Sequence, residues 1–299
     1  MILQTIKQIS CLLCLCCFLQ QSAFSQDDKD KPAYTLFDNT GKQISYGELI
    51  KRLSGYDVIF LGELHNCPIT HWLEFEITRS IYNIHKDQLM LGAEMFESDN
   101  HLIFDEYMQQ KISYDRFEAE ARLWDNYRTD YYPVVFFAKE HHIPFIATNI
   151  PRRYANIVKN KGFEALDSLS EEAKRYIAPL PIDFEYDEAQ SAAAFSMMNM
   201  MGGRRAGDNR KLAQAQAIKD ATMGWFIARN IKNKFLHING SYHSNRQGGI
   251  IPYLLRYRPN TSIVTVTSVR QESIRKLDDD HKGLADFYIC VPEDMVNSY

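Results

Sequence analysis

The sequence predicts an α/β fold: a mainly parallel central sheet flanked by helices, with a helical cap formed by two insertions. Three observations carry this. Short apolar runs recur without polar alternation, as strands covered on both faces do. Helical stripes with three-to-four spacing lie between them. The strand–helix–strand alternation itself argues for crossover connections and parallel pairing.

The elements follow in chain order. Residues 1–25 carry a single charge, Lys7, and an apolar stretch, "ISCLLCLCCFL" from Ile9 to Leu19. At about eleven residues it has the length of a signal-peptide core and falls short of a bilayer span. Ala23-Phe24-Ser25 supplies small residues two apart, as signal peptidase requires. The expected mature chain starts near Gln26. The alternative is lipidation at Cys14, Cys16 or Cys17, each of which lacks the small residue that normally precedes a lipidated cysteine. Residues 26–34, "QDDKDKPAY", read as a polar tether, and 35–299 as a single α/β domain. The strand candidates are Asp57–Gly62, Gln88–Glu94, Ile143–Thr148, Lys234–Asn239, Ser262–Thr267 and Asp286–Val291. Leu73, Ile77, Ile81 and Ile84 mark one helical stripe; Leu212, Ala215, Ile218, Ala221 and Trp225 mark another. Helical insertions at about 98–132 and 152–230 interrupt the alternation and are expected to cap one edge of the sheet.

Composition narrows the function. The chain has 299 residues, 45% hydrophobic and 24% charged, enough for one large core. Net charge is −4 from 34 basic and 38 acidic residues, with no basic footprint for nucleic acid. Cleavage would remove Lys7 and leave 33 against 38, a net charge of −5. No Gly-rich phosphate loop and no Gly-x-Ser-x-Gly elbow is present. Of the six cysteines, Cys67 and Cys290 lie outside the leader; a bridge between them and two separate thiols are both open.

The stretch "VIFLGELHNCPITHW", Val58 to Trp72, places a carboxylate and an imidazole just past an apolar run. In parallel sheets, ligands bind outside the carboxyl ends of the strands. Four strands deliver polar groups there: Glu63 and His65, Glu94, Asn149 followed by Arg152 and Arg153, and His243 in "NGSYHS". Polar caps explain any one of them, but four together favour a site. "GELH" and "GSYH" are both Gly-x-x-His, the Gly being expected to permit the sharp exit. Two imidazoles with Glu63 and Glu94 form a set suited to acid–base catalysis, with His65, His243 and Glu63 as candidate ligands for a divalent metal.

"FLGELHNCPITHW", "LGAEMFE", "IPFIATNIPR", "AQAIKDATM" and "HINGSYHSNRQGGIIPYL" together resemble the ChaN-like haem-binding lipoproteins, distant relatives of the erythromycin esterases and Tiki-type metalloproteases. The resemblance spans about Asp57 to Leu255. It implies an exported protein of the periplasm or outer-membrane surface, engaged in haem-iron acquisition with an outer-membrane haem receptor as partner. It further implies a homodimer around stacked haems. It also implies that hydrolysis in the wider superfamily is carried by residues matching His65, Glu63, Glu94 and His243. The chain departs from the lipoproteins in lacking a lipobox. A haem needs an iron ligand, an apolar slot and cations for its propionates. Among the 17 tyrosines, Tyr107 is the first candidate ligand, a tyrosine being what the resemblance suggests. His101 is the alternative, and Asn149 and Arg152 are the nearby polar candidates. The Met-rich "FSMMNMMGG" and the pair Arg204, Arg205 are open to a lining and propionate role or to ordinary core and loop roles.

Overall fold

The computed structural model describes residues 31–186 and 208–299. The expected leader, most of the expected tether, the Met-rich stretch, Arg204 and Arg205 lie outside the described residues. Among the described residues, seven strands, β1 Thr35–Asp38, β2 Val58–Glu63, β3 Leu89–Glu97, β4 Phe145–Asn149, β5 Lys234–Gly240, β6 Ile263–Gln271 and β7 Phe287–Pro292, form a sheet in the order β1-β7-β6-β2-β5-β3-β4. All neighbours are parallel except β1, which runs antiparallel to β7 at one edge. The helices are α1 Tyr46–Leu53, α2 Pro68–His85, α3 His101–Met108, α4 Tyr114–Glu120, α5 Tyr132–Glu140, α6 Arg152–Lys161, α7 Glu171–Lys174, α8 Asn209–Asn230 and α9 Ile250–Tyr257.

Period-two alternation assigns the strand residues to two layers. Ile59, Leu61, Leu91 and Leu236 face a core shared with Leu49 and Leu53 of α1, Leu73, Ile77 and Ile81 of α2, and Phe104 and Phe117 of the first insertion. Val58, Phe60 and Phe235 face the other layer, made by Met223 and Ile227 of α8 and Ile250 and Leu254 of α9. Each fully buried aliphatic or aromatic side chain stabilises by about 1.5–3 kcal/mol relative to exposure. The two layers explain why these strands are apolar throughout.

Three sequence expectations change. β1 escapes the apolar-run criterion because an edge strand of four residues, "TLFD", leaves too short a pattern to read. Ile84 belongs to the α2 stripe by spacing but is 53% exposed, in the last turn of the helix. The second insertion is only partly a cap: α8 packs against α9, β4 and α6 and forms a layer of the sandwich. Cys67 and Cys290 are separate buried thiols. Burial pushes the Cys290 thiol up to about 12.

Candidate functional site

β2 and β5 are neighbours in register, with Gly62 opposite Asn239 and Glu63 opposite Gly240. The two Gly-x-x-His turns therefore leave the sheet side by side. Neither glycine uses a left-handed backbone; Gly240 has φ −54°. Their role is close approach. A Cβ on Gly240 would lie 2.7 Å from His65 Nε2, and one on Gly62 would lie 3.0 Å from the Ser241 Cα. The His65 ring thus packs directly on the β5 backbone, where a side chain would stand.

Two hydrogen-bonded arrays meet at this edge. In the first, His243 Nδ1 lies 2.5 Å from Asp220 Oδ1, and Nε2 lies 3.3 Å from Glu94 Oε1. Glu94 Oε2 accepts from the Gly240 N–H at 2.8 Å, and the Asn149 side chain donates to the Glu94 carbonyl at 2.9 Å. In the second, Glu63 Oε1 accepts from His65 Nδ1 at 2.6 Å and from the Tyr131 hydroxyl at 2.7 Å. The residues after α4 supply the lid: a five-residue π-helical turn, Tyr127–Tyr131, directs Asp130 and Tyr131 inward, and Asn126 precedes it. Trp124 packs edge-on against His65, with ring centres 5.1 Å apart.

Burial and charge set the protonation states. Burial draws the His243 imidazole down, but Glu94 and Asp220 outweigh it and raise the group to about 10. At neutral pH His243 is an imidazolium. Burial opposes ionisation of Glu94, yet His243 and His65 hold it well below the usual carboxylate range. Burial raises Asp220, and His243 only partly offsets this. Burial also works against a charged His65, which Glu63 and Glu94 nevertheless hold above the ordinary histidine value. His237, on β5 two residues before Asn239 and bonded to Asn239 and Thr148, is pushed by burial down to about 4 and stays neutral.

The structure gathers Glu63, His65, Glu94, Asn149 and His243 at one edge. It does not gather His65, His243 and Glu63 around a single point for a cation. Among the described residues, the donor atoms that do converge belong to Glu63, His71 and Glu74. Tyr107 departs from its expected role. Its side chain is buried and stacked on Phe117 at 4.5 Å and 10°, the packing of a core aromatic. His101, at the start of α3, is exposed with its ring 6.0 Å from Tyr176. Arg152 is exposed at the start of α6, and its neighbour Arg153 pairs with Asp99 at 2.5 Å. Asp220, Asp130, Tyr131, His71 and Glu74 are site residues that sequence reasoning missed. The one available signal was a second His within "HNCPITHW" followed three residues later by Glu, a spacing that shares a helix face.

The family described as "Haem-binding uptake, Tiki superfamily, ChaN" matches residues 49–254. The chain belongs to the ChaN family. Its fold is similar to that of ChaN of Campylobacter jejuni, a structure described as showing cofacial haem binding: TM-score 0.66, 19% identity, covering 90% of this chain and 98% of that one. At lower similarity stand a Bacillus cereus protein, TM-score 0.46 and 11% identity over 87% of this ChaN-family chain and 95% of that one, and an erythromycin esterase, EreC, in its open conformation, TM-score 0.45 and 10% identity over 86% and 83%. No curated protein matches the chain.

Proposed function

We propose that this chain is an exported haem-binding protein that serves haem-iron acquisition. The observation that carries the reading is the family match over residues 49–254, which includes both Gly-x-x-His turns and the first insertion. Bound haem would supply the iron that is carried. The chain's own residues supply the rest. His101 presents an exposed imidazole, an established haem-ligand type. Beside it Leu102, 63% exposed, and the Tyr176 ring offer apolar surface. Arg152, the first residue of α6 and next to the Arg153–Asp99 pair, offers a cation for a propionate. A flat ligand on an open face keeps one side in water, and a second copy of the chain would cover it. Delivery to an outer-membrane haem receptor, from the periplasm or the membrane surface, completes the proposal. The short apolar leader supports export, with cleavage near Gln26 preferred over a lipid anchor.

A haemin titration followed by visible absorption tests this. The wild-type chain is expected to shift the Soret band, Tyr107→Phe to behave as wild type, and His101→Ala to lose the wild-type spectrum. Binding no tighter than that of an unrelated control protein would sink the reading.

A second reading is favoured by the Asp220–His243–Glu94 array: hydrolysis by acid–base catalysis at the sheet edge. The His243 ring lies between two carboxylates, with Nδ1 toward Asp220 and Nε2 toward Glu94, and a substrate would have to displace the longer Glu94 contact to reach it. Glu94, held ionised, is the base that would take a proton from water. His243, held protonated and oriented by Asp220, would donate one to a leaving group. Glu94→Gln should lower any turnover about 10²–10⁴-fold; a variant that retains its full rate on a substrate found for the wild type would exclude this role.

A further inference from the structure

We propose that Glu63, His71 and Glu74 form a buried site for one divalent first-row transition-metal cation, using the Glu63 oxygen that His65 does not engage. The three side chains are 2%, 4% and 1% exposed. They can each direct one donor atom so that all lie within 4.8 Å of one another. His71 Nδ1 is 3.1 Å from Glu74 Oε2 and 3.6 Å from Glu63 Oε2. Donor atoms bound to one ion at about 2.0–2.2 Å stand about 3–4.4 Å apart, so an ion fits with small side-chain adjustments.

Two buried oxygens point to a ligand. Glu63 Oε2 and Glu74 Oε1 have no hydrogen-bond partner, although a buried carboxylate oxygen left unmatched is costly. Without an ion, these oxygens are satisfied only if two protons are held here, one on His71 Nδ1 and one on Glu74 between the two carboxylates. A dication among the three satisfies them together and balances the two carboxylate charges.

The surroundings of His71 fit ligation. Its Nε2 lies 3.3 Å from Asp130 Oδ2 and 3.2 Å from the His65 carbonyl. A hydrogen on Nε2 therefore has acceptors, so His71 can keep that proton while Nδ1 turns its lone pair to an ion between the two glutamates. Asp130 is itself fixed, its Oδ2 accepting from Asn126 at 2.7 Å and Ser298 at 2.8 Å. Tyr131 packs edge-on against the His71 ring at 5.2 Å and donates to Glu63 Oε1. The other Glu63 oxygen is thereby directed toward His71. One imidazole and two carboxylates suit Zn²⁺, Co²⁺ or Mn²⁺ better than a soft ion. The site needs neither haem nor the proton-transfer array.

The test is a Co²⁺ titration of the full chain, free of haem, read by ligand-field absorption and X-ray absorption fine structure. The expected result is one Co²⁺ per chain with a single imidazole in its shell, retained in His65→Ala and weakened about 10²-fold in Glu74→Gln. Should Glu74→Gln fail to fold, the imidazole count in the wild-type chain decides. Absence of Co²⁺ binding, a shell with two imidazoles, or unchanged affinity in folded Glu74→Gln would each overturn the proposal.

Discussion

Replacing His243 by Gln removes the cation between two buried carboxylates, Glu94 and Asp220. Breaking a buried pair in this way costs about 3–5 kcal/mol near neutral pH. The pH dependence is more diagnostic. The folded-state value of His243, about 10, lies above the ordinary histidine value of 6.5. Its contribution is therefore complete below about pH 6.5 and is lost as pH rises through 10. Glu94 shifts the other way, so its contribution is present above the usual carboxylate value and is lost on acidification. Denaturant unfolding across pH 6–10 should show wild-type stability falling with pH, and a shallower fall in His243→Gln. Parallel curves would mean that His243 is neutral in the folded chain. Glu63, His65, Glu94 and His243 are legible in the sequence because each lies at or just past the end of an apolar run. Asp220 is not legible: it lies within an apolar helix, and nothing in "AQAIKDATM" says that the buried face of the helix passes the end of β5. Tyr107 misleads because tyrosine is equally a haem-ligand type and a core aromatic, and only packing separates the two.

At the scale of elements, the six longer strands are legible because both sheet faces are covered and polar residues drop out of the pattern. β1 lacks that signature, having four residues at an edge. The α8–α9 contact depends on a glycine. A Cβ at Gly224 would lie 2.9 Å from the Leu254 backbone nitrogen and 3.1 Å from the Ile250 carbonyl. This close approach seats the layer carrying Asp220 against the sheet. Gly224→Val should force the helices apart and destabilise by about 1–3 kcal/mol, as overpacking does; thermal unfolding measures it. An unchanged melting temperature would mean that the two helices are free to shift and that the placement of Asp220 does not rest on their contact.

For the whole molecule, the sandwich fixes the carboxyl edge of the sheet, and the first insertion folds over it to place Trp124, Asp130 and Tyr131 around Glu63 and His65. The outer face of that insertion presents His101 and Leu102 to solvent. The fold class is legible from the rhythm of strands and helices, whereas the course of the insertion is not, because its contacts join residues far apart in sequence. The central claim is that this outer face takes a haem and that a second copy covers it. Sedimentation velocity of the haemin-loaded chain, monitored at the Soret band, tests it most directly. The account predicts haem absorbance travelling with a species of twice the chain mass, and its loss from that species in His101→Ala. Soret absorbance that fails to sediment with the protein would contradict it.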